Sequence, residues 1–202
     1  MRIAILSDIH GNFDALKEVA SYVEAEEVMV LGDVVGYGAQ PEECVRWVVA
    51  KKAKMVMGNH EACLSGILPS SWFNPQAQKA VLWTREQLSA FSLLFLQSLP
   101  HVYHRDDIFW VHGSLREPLE EYLTNAFLAR TIFEHFSFWV CFFGHTHVAE
   151  GYVYQDGKME WIPFAEGGEI ALSPEKRYLI NCGSVGQPRD GNPEASFGIY
   201  DL

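Results

Sequence analysis

The stretch Leu6-Ser7-Asp8-Ile9-His10-Gly11-Asn12 follows a short apolar run, Ile3-Ala4-Ile5-Leu6, of the length expected for a buried strand. Asp8 and His10 lie two residues apart and offer an oxygen and a nitrogen ligand for one divalent metal ion. Gly11 allows a sharp turn off the strand end, and Asn12 can cap the helix that follows. Taken alone, the pattern is typical of an ordinary strand-to-helix turn.

The same arrangement recurs four more times along the chain. The further apolar runs end in Gly32-Asp33, Gly58-Asn59-His60-Glu61, His112-Gly113 and Gly144-His145-Thr146-His147. In open α/β sheets, ligand sites form at the carboxyl ends of strands, so these residues are expected to meet at one edge. The candidate metal ligands are Asp8, His10, Asp33, Asn59, His112, His145 and His147.

Seven ligands are too many for one tetrahedral ion, but they suit two ions of higher coordination that share a bridging ligand. Their mixture of imidazole, carboxylate and amide groups indicates Mn, Fe, Co, Ni or Zn. Two ions about 3.5–4 Å apart stabilise both the attacking and the leaving oxygen of a displacement at phosphorus. The four cysteines include no Cys-x-x-Cys pair, so they are predicted to be buried or free thiols in a reducing compartment.

The composition predicts one globular domain over residues 1–202, with 49% hydrophobic and 20% charged residues. No run reaches membrane-spanning length and the N-terminus shows no signal-peptide pattern, so a cytoplasmic location and no membrane partner are expected. The net charge of −11 disfavours duplex nucleic acid as a partner. It is compatible with a small phosphorylated substrate, because bound cations can invert the local field.

The first half of the chain alternates strand and helix patterns, which predicts a parallel sheet covered by helices. A third strand is predicted at residues 55–57. The second half is richer in strands, and Asp156-Gly157 between alternating runs indicates a hairpin. The irregular segment 62–73 is either a lid or a plain connection. Within it, Trp72 and Phe73 are either core residues or rings that stack on a nucleobase.

In this order, the blocks Asp-x-His, Gly-Asp, Gly-Asn-His-Glu, His-Gly and Gly-His-Thr-His resemble those of the calcineurin-like metallophosphoesterases. The match covers nearly the whole chain. Segments 32–38 and 181–191 are similar in particular to the small bacterial and archaeal phosphoesterases of the diadenosine-tetraphosphatase-like group. The resemblance implies an α/β (α+β) fold, the metallophosphoesterase fold, which is a four-layer αββα sandwich of two mixed β-sheets flanked by helices.

The resemblance also implies how the ligands divide between two divalent ions, with manganese as the expected metal and Fe, Ni, Co or Zn as alternatives. One ion would be held by Asp8, His10, Asp33 and His147. The other would be held by Asp33, Asn59, His112 and His145, so that Asp33 is the bridge. A hydroxide bridging the metals would attack phosphorus in line. His60 would either stabilise the transition state or protonate the leaving oxygen.

The sequence departs from the protein Ser/Thr phosphatase branch shortly after Asp33. Those enzymes have an Asp-Arg pair in which the Asp helps to orient the catalytic histidine and the Arg binds phosphate. Gly36 and Tyr37 stand at the matching positions here, so a phosphoprotein phosphatase is not expected. Arg189, in the glycine-rich loop 183–191, is a candidate for binding the substrate phosphate. The alternative is that it forms only a salt bridge on the surface. Tyr37 is a second candidate for contact with the substrate. The alternative is that it only packs against its neighbours.

Two function classes follow. The first is a two-metal hydrolase of phosphate mono- or diesters, with nucleotides and dinucleoside polyphosphates among the candidate substrates. The alternative is a catalytically weak or inactive binding or scaffold protein on the same fold, as in the similar retromer sorting subunit, and the fold alone does not decide. All seven ligands and His60 are present, which favours the enzyme. Glu61 either supports a neighbouring ligand or has a surface or helix-start role. The oligomeric state is left open.

Overall fold

Two mixed β-sheets form the centre of the computed structural model, which describes residues 1–202. The strands in chain order are β1 (Arg2–Leu6), β2 (Glu27–Val30), β3 (Lys54–Met55), β4 (Val102–Arg105), β5 (Ile108–Val111), β6 (Val140–Phe143), β7 (Ala149–Gln155), β8 (Lys158–Pro163), β9 (Arg177–Cys182) and β10 (Gly198–Asp201). The helices are α1 (Phe13–Tyr22), α2 (Pro41–Ala50), α3 (Asn59–Leu64), α4 (Pro75–Gln87), α5 (Ala90–Gln97) and α6 (Ala126–His135), with a 3₁₀ turn at Ser70–Trp72.

The first sheet has the strand order β10-β1-β2-β3, in which β1, β2 and β3 are parallel and β10 is antiparallel. The second sheet has the order β4-β5-β6-β9-β7-β8, in which β5, β6 and β9 are parallel and the outer pairs are antiparallel. Parallel strands at the centre of each sheet bring several carboxyl ends to one edge. The predicted parallel first half, the hairpin at residues 156–157 and the two mixed sheets are therefore confirmed.

The two sheets pack face to face through large apolar side chains. Ile5 and Met29 of the first sheet share one buried cluster with Trp110, Phe142 and Ile180 of the second. Successive side chains of a strand point to opposite faces of its sheet, so the outer face of each sheet also carries apolar side chains that helices must bury. The first sheet is covered by α1, α2, α4 and α5, and the second by α6. This is the predicted four-layer αββα arrangement.

Asparagine side chains define the starts of three helices. Asn12, Asn74 and Asn125 accept hydrogen bonds from backbone N–H groups in the first turns of α1, α4 and α6. These bonds satisfy donors that have no partner within the helix.

None of the helices is both long enough and apolar enough to cross a membrane.

The segment after the second strand differs from the sequence expectation. Strand β3 ends at Met55 rather than at Met57, because the N–H of Met57 donates to the carbonyl of Pro100 instead of extending the ladder. The block at residues 58–61 then begins α3, with Gly58 as the N-cap residue, so it does not lie at a strand end. The prediction of an irregular segment from residue 62 is thus wrong for its first residues, which continue the helix to Leu64.

Candidate active site

The seven predicted ligands come together at one edge of the two sheets, and each is buried. Three groups of side chains have their potential ligand atoms within 4.8 Å of one another. They are Asp8 with His10 and His147, His10 with Asp33 and His60, and Asp33 with His112 and His145. Asn59 joins the last group, because its Oδ1 lies 3.0 Å from Nε2 of His112. The structure therefore gathers all the residues that the motifs predicted as ligands.

The first cluster lies around Asp8. Its Oδ2 accepts hydrogen bonds from the Ser7 hydroxyl at 2.6 Å and from the backbone N–H of His145 at 3.1 Å. Its Oδ1 has no hydrogen-bond partner and lies 3.2 Å from Nε2 of His147 and 3.9 Å from Nε2 of His10. One oxygen is thus fixed by the protein while the other faces the two imidazoles.

Asp33 lies between two clusters of predicted ligands. The first cluster is Asp8, His10 and His147, and the second is Asn59, His112 and His145. Its Oδ1 accepts a hydrogen bond from the backbone N–H of His60 at 3.0 Å, at the start of α3. Its Oδ2 lies 3.4 Å from Nε2 of His112 and 3.6 Å from Nε2 of His10, one imidazole from each cluster. A side chain on Gly58 would meet Oδ1 at 2.2 Å, so glycine is needed there to let α3 approach this carboxylate.

The hydrogen bonds of the histidines point their lone pairs at one another. His10 and His147 each place Nδ1 against a backbone carbonyl, so the proton belongs on Nδ1 and the lone pair on Nε2. The two Nε2 atoms are nevertheless only 3.1 Å apart. In the second cluster, His112 Nδ1 faces the carbonyl of Leu31 at 2.8 Å, and its Nε2 faces the Asn59 oxygen. Converging acceptors of this kind fit bound cations.

Backbone conformation adds a second sign of a functional site. Nine residues other than glycine have a positive φ. Six of them lie in or beside the site, namely Asp8, His10, Asp33, Tyr37, His145 and His147. Residues other than glycine rarely adopt a positive φ. Where the surrounding structure enforces it, the residue often has a function.

Charge within the site acts differently on its carboxylates and its imidazoles. Burial acts to raise the pKa of Asp8, but the neighbouring His147 outweighs it and lowers the pKa below the usual aspartate value. Burial and the neighbouring His112 lower the pKa of His145 to about 3. His112 differs, because the Asp33 carboxylate outweighs burial and raises its pKa to about 9. Asp8 and His145 are therefore in the forms that ligate a metal ion, whereas His112 would have to lose a proton when a metal ion binds.

Glu61 supports the loop that carries Asp33. Its buried carboxylate accepts backbone hydrogen bonds from Asp33 at 2.8 Å, Val34 at 2.9 Å, Val35 at 3.3 Å and Gly58 at 2.9 Å. Burial and the nearby Asp33 raise the pKa of Glu61 to about 7, against the effect of these donors. Glu61 is therefore not a surface residue, and it has both of the other roles considered from the sequence: it supports the loop of the predicted ligand Asp33, and it caps α3.

His60 is held by rings rather than by a carboxylate. A side chain on Gly36 would meet its Nδ1 at 2.0 Å, so the imidazole occupies the space that glycine leaves free. The rings of Tyr37 and Phe73 each lie 4.9 Å from the His60 ring. Its Nδ1 has no hydrogen-bond partner, and its Nε2 points toward Asp33 Oδ2 at 4.0 Å. Nε2 is thus the atom directed into the site.

A cavity of about 270 Å³ opens over the clusters. Both sequence candidates for substrate contact, Arg189 and Tyr37, line it, as do Trp72 and Phe73. Tyr122 also lines the cavity and was missed by the sequence reasoning. The available signal was its loop, residues 112–125, which directly follows the ligand-bearing end of β5, a position where loops often carry function.

Replacing Glu61 with glutamine is expected to destabilise the protein and weaken its metal binding. A glutamine amide offers one acceptor oxygen and two N–H donors, so it cannot accept all four backbone hydrogen bonds. The expected loss is about 2–3 kcal/mol in the free energy of unfolding, measured by thermal or urea denaturation. Isothermal titration with Mn²⁺ should show weaker binding than in the wild type.

The matched control is Glu43→Gln, on the exposed face of α2. It is expected to change stability by less than about 0.5 kcal/mol. Equal stability of the Glu61 and Glu43 variants would contradict a supporting role for Glu61.

Comparison with known proteins agrees with this geometry. The calcineurin-like phosphoesterase family model matches residues 1–149. The chain is 41% identical to a metallophosphoesterase from Sphaerobacter thermophilus, whose crystal structure superposes with a TM-score of 0.83 over 99% of this chain and 83% of that one. It is 35% identical to an uncharacterized protein of Methanocaldococcus jannaschii, over 98% of this chain and 82% of that protein.

A shorter match connects the chain to enzymes with named substrates. Over 74 residues it is 38% identical to a symmetrical bis(5'-nucleosyl)-tetraphosphatase of Actinobacillus pleuropneumoniae, which covers 34% of this chain and 27% of that enzyme. The family is metal-dependent, and the His/Asp clusters described above could hold metal ions. With the family model covering most of the chain and a relative similar over almost its whole length, this protein belongs to the calcineurin-like phosphoesterases, a family of hydrolases.

Proposed function

We propose that this protein is a two-metal hydrolase of small phosphate esters. The observation that carries the proposal is the pair of acceptor clusters joined by Asp33, whose Oδ2 faces an imidazole of each cluster. One site would consist of Asp8, His10, Asp33 and His147, and the other of Asp33, Asn59, His112 and His145. Manganese is the expected metal, and the ligand set also suits Fe, Co, Ni or Zn.

Two bound divalent ions would supply an activated water and neutralise negative charge that develops at phosphorus. The residues of the chain would provide the rest. Asp33 would fix the spacing of the two sites, since its Oδ1 is held by α3 and its Oδ2 is free to face both. His60 would direct Nε2 at the departing oxygen, either as a hydrogen-bond donor or as the source of its proton.

The cavity supports a small substrate with a planar group. Its lining includes the rings of Tyr37, Trp72, Phe73 and Tyr122, and Arg189 is its only lysine or arginine. Aromatic rings stack on nucleobases without demanding one sequence of hydrogen bonds. We therefore infer that nucleotides or dinucleoside polyphosphates are among the substrates, which agrees with the partial match to tetraphosphatases. A cytoplasmic location remains a prediction.

The alternative is a binding or scaffold protein that uses the same fold without turnover. A scaffold has no need to keep buried carboxylates beside buried imidazoles, an arrangement that burial makes costly. Here every predicted ligand is buried and directed into the site, and His60 lies beside them. These observations favour the hydrolase.

Substitutions of different predicted ligands are expected to remove different numbers of metal ions. Metal-stripped wild type should bind two Mn²⁺ per chain, and chelation should abolish hydrolysis until Mn²⁺ is restored. Asp33→Asn should lose both ions because a neutral amide no longer offsets the charge of either. His10→Ala should lose one, since its Nε2 faces only the first cluster.

Elemental analysis after dialysis against Mn²⁺ checks these stoichiometries. Full activity with one ion per chain would contradict the two-metal model. Retention of both ions by Asp33→Asn, with loss of both by His10→Ala, would mean that Asp33 is not the bridge.

His60→Ala is expected to keep the fold and both ions but to lose turnover selectively. A proton donor matters most for a basic leaving group and is typically worth about 10²–10⁴-fold. Activity on an alkyl phosphate ester should therefore fall much more than activity on a nitrophenyl ester, whose phenolate leaves without help. The measurement is the ratio of wild-type to variant kcat for the two esters at equal metal occupancy.

Equal losses on both esters would remove the proton-donor role and leave electrostatic stabilisation of the transition state. Loss of a metal ion in the variant would instead make His60 a ligand, as its place in one of the three side-chain groups allows.

Trp72→Ala is expected to change substrate preference more than catalysis. The indole is 36% exposed at the cavity and packs edge-to-face on Phe73, with ring centroids 5.1 Å apart. Loss of stacking should reduce kcat/KM for a nucleotide by about twofold to tenfold, with little change for an alkyl phosphate. The control is Trp83→Ala, a similarly exposed tryptophan on α4 that does not line the cavity. Equal losses on both substrates would indicate a packing role for Trp72.

A further inference from the structure

The imidazole of His60 is buried but makes no hydrogen bond to the protein. Its Nδ1 has no partner, and its Nε2 lies 4.0 Å from Asp33 Oδ2, beyond hydrogen-bond distance. His10, His112 and His147 differ, because each places Nδ1 against a backbone carbonyl. Bonds of that kind normally fix the orientation of a functional histidine. The plane of the His60 ring is therefore fixed by packing alone.

Three rings contact this imidazole. The ring of His10 lies 4.8 Å from it, and the rings of Tyr37 and Phe73 each lie 4.9 Å from it. The Phe73 contact is edge-to-face, with planes 66° apart. His10 and Tyr37 belong to the loops that follow β1 and β2, whereas Phe73 belongs to the connection between α3 and α4. Phe73 is thus the one ring that reaches His60 from outside the ligand-bearing loops.

The backbone around Phe73 holds its ring in a defined position. The N–H of Phe73 donates to the carbonyl of Ser70 at 3.3 Å, and the Ser70 hydroxyl accepts from Gln78 Nε2 of α4 at 3.1 Å. The next residue, Asn74, caps α4. The Phe73 ring is partly buried and packs on the apolar cluster that covers the first sheet. A ring anchored in this way can restrict the imidazole beside it.

Phe73 has a second aromatic neighbour, which gives it two possible tasks. Its ring lies 5.1 Å from that of Trp72, with planes 80° apart, and both rings line the cavity. It could therefore support Trp72 in substrate binding or hold His60. Because the χ2 torsion of a histidine is broad and His60 has no hydrogen bond to restrict it, the contact with His60 has no substitute.

We propose that Phe73 is a positioning residue for the leaving-group step, with its ring fixing the plane of the His60 imidazole so that Nε2 faces the departing oxygen. The inference rests on the proposed function and deepens it. Without the Phe73 ring, the imidazole can tilt into the vacated space. Nε2 then spends less time in the productive direction, although the imidazole itself is still present.

Leaving-group dependence tests this role. In Phe73→Ala, kcat on an alkyl phosphate ester is expected to fall about 10-fold to 100-fold, as for a misplaced catalytic group. On a nitrophenyl ester, which needs no proton, kcat should stay within about threefold. KM for the alkyl ester should also stay within about threefold, since the loss lies in the transition state. Phe73→Leu, which restores most of the apolar volume, should lose less than Phe73→Ala.

A double-mutant cycle tests whether Phe73 acts through His60. In the His60→Ala background, Phe73→Ala should cost less than about threefold more on the alkyl ester, because no imidazole remains to be positioned. The matched control is Phe95→Ala, on α5. Phe95 is also partly buried against the same apolar cluster, but it does not line the cavity. Its variant is expected to keep the wild-type ratio of activities on the two esters.

Nuclear magnetic resonance tests the position of the imidazole without turnover. Long-range ¹H–¹⁵N spectra of the metal-stripped protein report the ring nitrogens of His60, assigned by their absence from His60→Ala. The wild type is expected to show one sharp set of signals, and Phe73→Ala several sets or broadened ones. A change of shift alone does not count, because removing a ring alters the local magnetic field. The exposed His135 of α6 serves as the internal reference.

The contrary outcomes are distinct. Equal losses on both esters, multiplying losses in the double variant, or one sharp set of His60 signals in Phe73→Ala would overturn the inference. A Phe73→Ala variant that loses activity only on a nucleotide, as expected of Trp72→Ala, would mean that Phe73 supports Trp72 instead. A wild type that hydrolyses no ester would refute the proposed function, and the spectra would still decide whether Phe73 fixes the imidazole.

Discussion

The Asp33 carboxylate lies between the imidazoles of His10 and His112, which belong to different groups of predicted ligands. Its two oxygens have different tasks, since Oδ1 accepts from the backbone of α3 and Oδ2 lies between imidazoles of the two clusters. The chain must therefore bring the end of β2 and the start of α3 together. Glu61 does this by accepting hydrogen bonds from both segments, and Gly58 leaves the space they need.

The site is energetically unfavourable by itself, and apolar packing elsewhere in the fold offsets its cost in folding free energy. Carboxylates and imidazoles are buried together, and several of their backbones have a left-handed conformation, each costing about 1–3 kcal/mol. The apolar cluster between the sheets and the helical covers on their outer faces provide the opposing stabilisation. The residues with a left-handed backbone follow the carboxyl ends of strands, so they do not interrupt the hydrogen bonds between strands.

Six of the seven ligands could be predicted because each follows a strand, and the geometry of the sheets brings these strand ends together. Asn59 lies instead in the first turn of α3. The start of α3 could not be predicted, because Met57 leaves the ladder for a carbonyl 43 residues away in the chain, at Pro100. The role of Glu61 depends on backbone donors 26–28 residues earlier. Tyr122 reaches His145 through a folded loop without periodicity, so no local pattern indicated it.

The pair Gly36 and Tyr37 changes how the site treats its histidine. Where protein Ser/Thr phosphatases place a carboxylate beside that histidine, here glycine admits the His60 ring and aromatic rings hold it. Rings orient an imidazole without supplying a counter-charge. Burial lowers the pKa of His60, while Asp33 and Asp8 oppose this from the metal side. Any positive charge on His60 is thus stabilised by the carboxylates of the site itself, which couples the histidine to the same groups that would hold the metal ions.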